Sequence, residues 1–264
     1  EGVPTKLISV AKTKKYAWVH IDLMNTFGIE KTHRSMKKHI ACYEKYDKII
    51  CVSETVKDAF ADRFGISDNV IVKYNVVDDT LIKEKANEPI ERAEKTRIVS
   101  VGRLVKQKGY DRLLDIAGRL KNEGFDFELV LVGKGAEEES LKKQAERLGI
   151  AECVTFTGFV DNPYKYMQSA DFLVFPSRAE GYSTVVTEAV ILGKPIVVSD
   201  CSGMREILGD SEYEKKKKND EELYEAVKTM LADDSLRDSY AEKASARAKD
   251  FSRVKRVEEL TELF

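Results

Sequence analysis

Two glutamates, Glu180 and Glu188, bracket the turn Gly181-Tyr182-Ser183-Thr184 in the stretch RAEGYSTVVTEAVILGKP, where an apolar run gives way to a helical pattern. The first N–H groups of a helix have no acceptor within it, and with the helix dipole they attract anions. Carboxylates repel an anion but accept hydrogen bonds from hydroxyls. Gly102-Arg103 and Lys108-Gly109 follow an earlier apolar run and bring two positive charges, and Gly133-Lys134-Gly135 follows a third. A ligand with a diphosphate at its centre fits this set. Gly181 to Thr184, Arg103 and Lys108 would take the phosphates, Glu188 the hydroxyls of a ribose, and Glu180 those of a hexose. That ligand is a nucleotide sugar, and one crevice is expected to hold all of it.

The elements around these residues explain how they could meet. From residue 97 onward the runs RIVSVG, FELVLVG, CVTFTG, DFLVFPS and KPIVVSD alternate with helical patterns over Tyr110–Glu123, Ala136–Leu148, Asn162–Ala170 and Thr184–Leu192. Continuous apolar strands between amphipathic helices predict an α/β fold, a doubly wound parallel sheet of Rossmann-like type. Ligands of such sheets bind beyond the carboxyl ends of the strands. Before residue 97 the alternation is shorter: strands over Lys15–His20, Lys48–Val52 and Val70–Tyr74, helices near Thr32–Lys45 and Ser53–Phe64. The expected organisation is a partial N-terminal Rossmann-like domain (1–78), a polar linker (79–96), a complete nucleotide-sugar-binding domain (97–250) that ends in helices over Glu221–Ala232 and Ser235–Lys249, and a short tail (251–264).

Bulk properties narrow the class. With 264 residues, 42% hydrophobic and 34% charged, the chain can build real cores. A net charge of −2 speaks against a nucleic-acid partner. Cys42, Cys51, Cys153 and Cys201 lack CxxC spacing and suit reduced thiols, so a cytoplasmic location is expected. There is no run able to span a bilayer and no signal-peptide pattern at the start of the sequence. Residues 1–48 carry ten Lys or Arg against five Asp or Glu. A solvated face is the plain reading, and weak peripheral contact with anionic lipid at the inner membrane face is the alternative.

Gly102-Arg103…Lys108-Gly109 together with Glu180-x7-Glu188 resembles the signature of retaining glycosyltransferases of the GT-B fold, glycosyltransferase family 4 in particular. The likeness runs from about Tyr16 to the end of the chain. It implies that Arg103 and Lys108 hold the diphosphate of a UDP-sugar or GDP-sugar donor, that Glu180 contacts the transferred sugar, and that Glu188 holds the ribose. It also implies a nucleobase near Phe159 and Val160, and a hinge entry at Asn75. Tyr16-Ala-Trp-Val-His20 is similar to the family's strand ending in an active-site histidine, so His20 would lie by the sugar and the acceptor. In that family several strand–helix units precede this strand. Here only a short stretch precedes Tyr16, which implies a partial N-terminal domain. The family default for the acceptor is a growing polysaccharide or a lipid-linked glycan.

Each residue also has a plain reading. Arg103 and Lys108 could form surface ion pairs, Gly133 and Gly135 a tight turn, and His20 a structural hydrogen bond at a strand end. His33 and His39 read as surface and Trp18 as core packing. Lys215–Lys218 reads as a solvated loop or a protected edge strand. GxGxxG, Walker A, HExxH and GxSxG are absent. No Asp-x-Asp occurs, so no metal or cofactor is expected and the two cations would replace a divalent ion. The expected chemistry is hexosyl transfer with retention, in which Glu180 positions the sugar and does not attack it. A non-catalytic nucleotide-sugar-binding fragment and a nucleotide-sugar epimerase remain as alternatives.

Overall fold

The structure, a computed structural model, describes residues 3–24, 35–92, 94–209, 215–217 and 219–263. The first half contains helix α1 (Val3–Ile8), strand β1 (Tyr16–Val19), α2 (Met36–Tyr43), β2 (Lys48–Cys51), α3 (Glu54–Phe64) and β3 (Val70–Val72). Its three strands pair in the order β1-β2-β3, all parallel. The helix expected near Thr32–Lys45 begins at its Ser35 N-cap, and residues 32–34, His33 among them, lie outside the described residues. His39 is a correction. Its ring is buried between Tyr43 and Phe64, at 5.1 and 4.9 Å between centroids, because it occupies the core-facing stripe of α2.

The stretch expected as a linker is in part a helix, α4 (Asp79–Ala86). Asp78 caps it by accepting from Leu81 N at 3.1 Å, and Ile82 and Ala86, four residues apart, bury one face.

The second half runs β4 (Thr96–Val101), α5 (Tyr110–Asn122), β5 (Phe127–Val132), α6 (Glu138–Arg147), β6 (Val154–Gly158), α7 (Tyr164–Ser169), β7 (Phe172–Phe175), α8 (Thr184–Ile191), β8 (Ile196–Ser199), α9 (Met204–Leu208) and β9 (Lys215–Lys217). The strand order is β6-β5-β4-β7-β8-β9, all parallel. Residues 215–217 thus form an edge strand beside β8. β7 and β8 are buried at every position, as strands covered by helices on both faces must be.

The order matters for function. The chain builds outward from β4 through β5 to β6, then returns to β4's other side for β7. This reversal opens a crevice beyond the carboxyl ends of β4 and β7.

Helices α10 (Asp220–Ala232) and α11 (Asp234–Arg247) follow. The expected tail also differs, since α12 (Arg253–Thr261) is a helix that returns to the first half. Arg253 pairs with Asp78 at 2.6 Å, Lys73 donates to the Glu259 carbonyl, and the Arg256 guanidinium lies 4.5 Å from the centroid of the Tyr74 ring. Val254 and Val257 of this helix are exposed and none of its residues is buried, so the sequence RVKRVEELT shows no core-facing stripe.

Candidate functional site

Lys108 and Glu180 meet across the β4/β7 crevice. Lys108 ends a single 3-10 turn (Lys106–Lys108) after β4, and Glu180 closes the loop after β7. Lys108 Nζ donates to Glu180 Oε1 at 2.7 Å, and Ser177 Oγ donates to the same oxygen at 2.6 Å. The two ionic side chains are 17% and 10% exposed, so water screens the pair little. The approach depends on Gly109 at φ +70°, where a Cβ would overlap the Pro176 carbonyl. Glycine lets the two loops touch.

The loop before Glu180 is fixed by other contacts. Arg178 grips Asp111 through both guanidinium nitrogens at 2.6 and 2.7 Å, and Gln107 Nε2 donates to the Ala179 carbonyl at 2.7 Å. Burial pushes the Asp111 carboxyl up, but Arg178 and Lys106 outweigh it and hold the group at about 2. Arg178 is therefore committed to the protein.

After Glu180 the chain passes through Gly181 and Tyr182 to Ser183, the N-cap of α8. Ser183 makes no side-chain cap bond, so it satisfies none of the first-turn N–H groups of α8. Thr184 is exposed at the start of that turn. The Tyr182 side chain turns inward, 5.2 Å from Tyr74 between centroids, so this residue faces the crevice with backbone alone. Gly181 abuts the end of β1, where a Cβ would overlap the His20 carbonyl. His20 itself is exposed, with its imidazole stacked at 6.1 Å on Trp18 and its pKa lowered by desolvation. Trp18 is half-buried against the core.

Glu188 lies one turn into α8. Burial raises its carboxyl pKa from 4.5 to about 7, and the Tyr164 hydroxyl, donating to Oε1 at 3.3 Å, offsets this in part.

Two hollows flank the expected crevice. One, of about 250 Å³, is lined by Gly102, Arg103, Gly133, Lys134, Phe159, Val160 and Pro163 at the tips of β4, β5 and β6. Phe159 stands 74% exposed on its rim. Arg103 is exposed on the lining of this hollow. The other hollow, about 470 Å³, is lined by Asp22, Thr55, Arg178, Ala179, Asp200, Cys201, Ser202, Gly203 and Arg205, drawn from both halves. Lys108 joins the two rims: its side chain passes Gly102, where a Cβ would stand 3.8 Å from Cε, and its ammonium reaches Glu180 beside Ala179. Gly133 packs against the Gly102 carbonyl, where a Cβ would overlap it.

Sequence reasoning did not single out Ser177 and Tyr164, which donate to Glu180 and Glu188. Only Ser177, at a strand end beside Arg178, carried a signal, because the partner of Tyr164 is set by the fold. Among the described residues no three His, Cys, Asp or Glu side chains gather as a metal cage.

A doubly wound parallel sheet with cations after β4 and a carboxylate with a helix N-terminus after β7 defines a Rossmann-like α/β protein. The chain belongs to the glycosyl transferases group 1 family, whose profile matches residues 82–247. It is 37% identical over 217 residues to an N-acetylgalactosamine-N,N'-diacetylbacillosaminyl-diphospho-undecaprenol 4-alpha-N-acetylgalactosaminyltransferase of Campylobacter jejuni, which covers 81% of this chain and 58% of that protein. It is 25% identical over 226 residues to the amylovoran biosynthesis glycosyltransferase AmsD of Erwinia amylovora, covering 81% of this chain and 61% of that one. The chain thus spans little more than half the length of these relatives. Anabaena HepE, solved in complex with UDP, superposes with a TM-score of 0.80 at 22% identity over 99% of this chain and 74% of its own. TarM of S. aureus does so with 0.80 at 20% identity over 95% and 50%. The fold is that of the GT-B glycosyltransferases.

Proposed function

We propose that the protein transfers a hexosyl unit from a nucleoside-diphosphate sugar to a hydroxyl, with retention at the anomeric carbon. The Lys108–Glu180 pair across the β4/β7 crevice, beside the first turn of α8, carries this reading. The donor diphosphate takes over the Lys108 ammonium and reaches Arg103 and the α8 N–H groups. Glu180, still held by Ser177, is then released to accept from the hydroxyls of the sugar. The nucleoside fills the hollow beside Phe159 and Val160, with its ribose on Glu188. The larger hollow admits the acceptor, and His20 lies near the sugar.

The anomeric C–O bond to phosphate breaks as the acceptor oxygen bonds to the same carbon from the same face. The departing phosphate oxygen takes the acceptor's proton. Negative charge grows on the diphosphate, and each preorganised donor there is worth about 3 kcal/mol in the transition state. Arg103 and Lys108 do this work in place of a divalent ion. Glu180 positions the sugar and screens its positive charge. Family membership and the UDP bound by HepE support a nucleotide-sugar donor, UDP- or GDP-linked. The name of the Campylobacter relative supports a lipid-linked glycan acceptor, which the protein would meet from the cytoplasm at the inner membrane face.

The test incubates the protein with UDP- and GDP-hexoses and diphospho-lipid-linked glycans, and reads product linkage by NMR. An α-linked product from an α-linked donor is expected. Donor bound in calorimetry with neither transfer nor hydrolysis would mark a binding fragment. A changed sugar with donor alone would mark an epimerase.

A further inference from the structure

Glu206, on the short helix α9, spends its whole carboxylate on the other half of the chain. Oε2 accepts from Glu54 N at 2.8 Å and from the Tyr74 hydroxyl at 3.0 Å. Oε1 accepts from Thr55 N at 3.1 Å and Thr55 Oγ1 at 3.0 Å. Two of these donors are first-turn N–H groups of α3, where the helix dipole favours an anion. All four lie 132 to 152 positions away in sequence.

Tyr74, which Glu206 grips directly, and Ser53, the chain neighbour of Glu54, hold the bend between Glu180 and α8. Ser53, the N-cap of α3, donates its buried hydroxyl to the Gly181 carbonyl at 3.1 Å while accepting from Val56 N. Tyr74 packs its ring on Tyr182 and lies under the Arg256 guanidinium of α12. From the other side of the bend, a Cβ at Gly203, one residue before α9, would overlap the Gly181 carbonyl. The bend is thus clasped between the start of α3, the Tyr74 ring and the turn that leads into Glu206. One carboxylate ties all three together.

We propose that Glu206 is a positioning residue for the donor-binding bend. Acting through Ser53 and Tyr74, it fixes the height of Gly181 and Tyr182, and so the direction of the α8 N–H groups and of Glu180. This rests on the reading of that bend as the diphosphate and sugar site. Deletion of the carboxylate frees the start of α3 and the Tyr74 hydroxyl together, and the bend loses its reference to the first half. Glutamine keeps one oxygen that can accept from an α3 N–H group.

The test compares wild type with Glu206→Ala, Glu206→Gln and Tyr74→Phe, on folded protein. The first readout needs no catalysis: hydrogen exchange of the Thr187 amide, which donates to the Ser183 carbonyl of the bend at 3.1 Å, against those of β5, residues 127–132. Glu206→Ala should speed exchange at Thr187 about tenfold and leave β5 unchanged, in line with the loss of a cap-sized interaction. Tyr74→Phe should move it less in the same direction, and Glu206→Gln should restore most of the protection. The second readout is turnover: kcat of Glu206→Ala should fall about tenfold with donor KM within about threefold. Thr187 exchange that is unchanged in Glu206→Ala, or a lower Tm with unchanged kcat per folded molecule, would make Glu206 a brace for stability alone and overturn the proposal. Should Glu206→Ala fail to fold, the glutamine and phenylalanine variants decide by the same two readouts. A wild type that transfers nothing sinks the glycosyl-transfer reading and leaves the exchange experiment to judge Glu206.

Discussion

Replacement of Lys108 by alanine should cost stability and turnover by separate routes, and a second substitution can pull the two apart. The Lys108–Glu180 pair is 2.7 Å long, and its side chains are only 17% and 10% exposed. Removal of one partner of a buried pair leaves the other charge stranded, typically at 3–5 kcal/mol. Ser177 still donates to Glu180, so the lower end applies, about 3 kcal/mol. For a chain of this size each kcal/mol moves Tm by about 2–4 °C, so Lys108→Ala should melt about 6–12 °C lower. Glu180→Gln in the same chain removes the stranded charge and should recover most of that loss.

Turnover should not recover. Loss of a preorganised donor to the leaving diphosphate costs about 100-fold or more in kcat. The assay is thermal and urea unfolding of the four proteins of the cycle, alongside donor turnover. If Lys108→Ala melts with wild type, or if the double variant is less stable than Lys108→Ala, the pair is not the buried contact described above.

Two further predictions concern the nucleoside side. Burial holds Glu188 at about 7, above its ordinary 4.5. The native-state stability tied to this group is therefore fully present below pH 4.5 and is lost as pH rises through about 7. Glu188→Gln should gain stability relative to wild type across that window, and a difference in urea midpoints that stays flat from pH 4.5 to 8 would contradict the burial. Phe159, 74% exposed on the rim of the smaller hollow, should be replaceable by alanine with stability changed by less than about 0.5 kcal/mol. UDP affinity should nevertheless fall at least about fivefold if the base stacks there, as calorimetry would register.

The alternation of apolar runs and amphipathic helices made the parallel sheet legible, because strands covered on both faces carry unbroken Val, Ile, Leu and Phe. Residues 79–86 and 253–261 escaped for the opposite reason: each buries little, so polar residues dominate its pattern. The cap at Asp78 with Ile82 and Ala86 was a readable signal that the polar stretch to Thr96 obscured. Glu180, Glu188, Arg103 and Lys108 were legible as candidates because each follows a strand or opens a helix. Their pairing was not. That Lys108 meets Glu180, 72 residues on, follows from strand order, which alternation alone leaves open. Glu206 was invisible for a similar reason, since its four donors come from the other half of the chain.

Calorimetric titration of UDP in the presence of EDTA addresses the central claim, a diphosphate held by protein cations at the β4/β7 crevice. Wild type should bind, and Arg103→Ala and Lys108→Ala should each lose about 1.5–3 kcal/mol, or roughly 10- to 150-fold in affinity. Binding that appears only with added divalent ion, or that survives both substitutions unchanged, would contradict it.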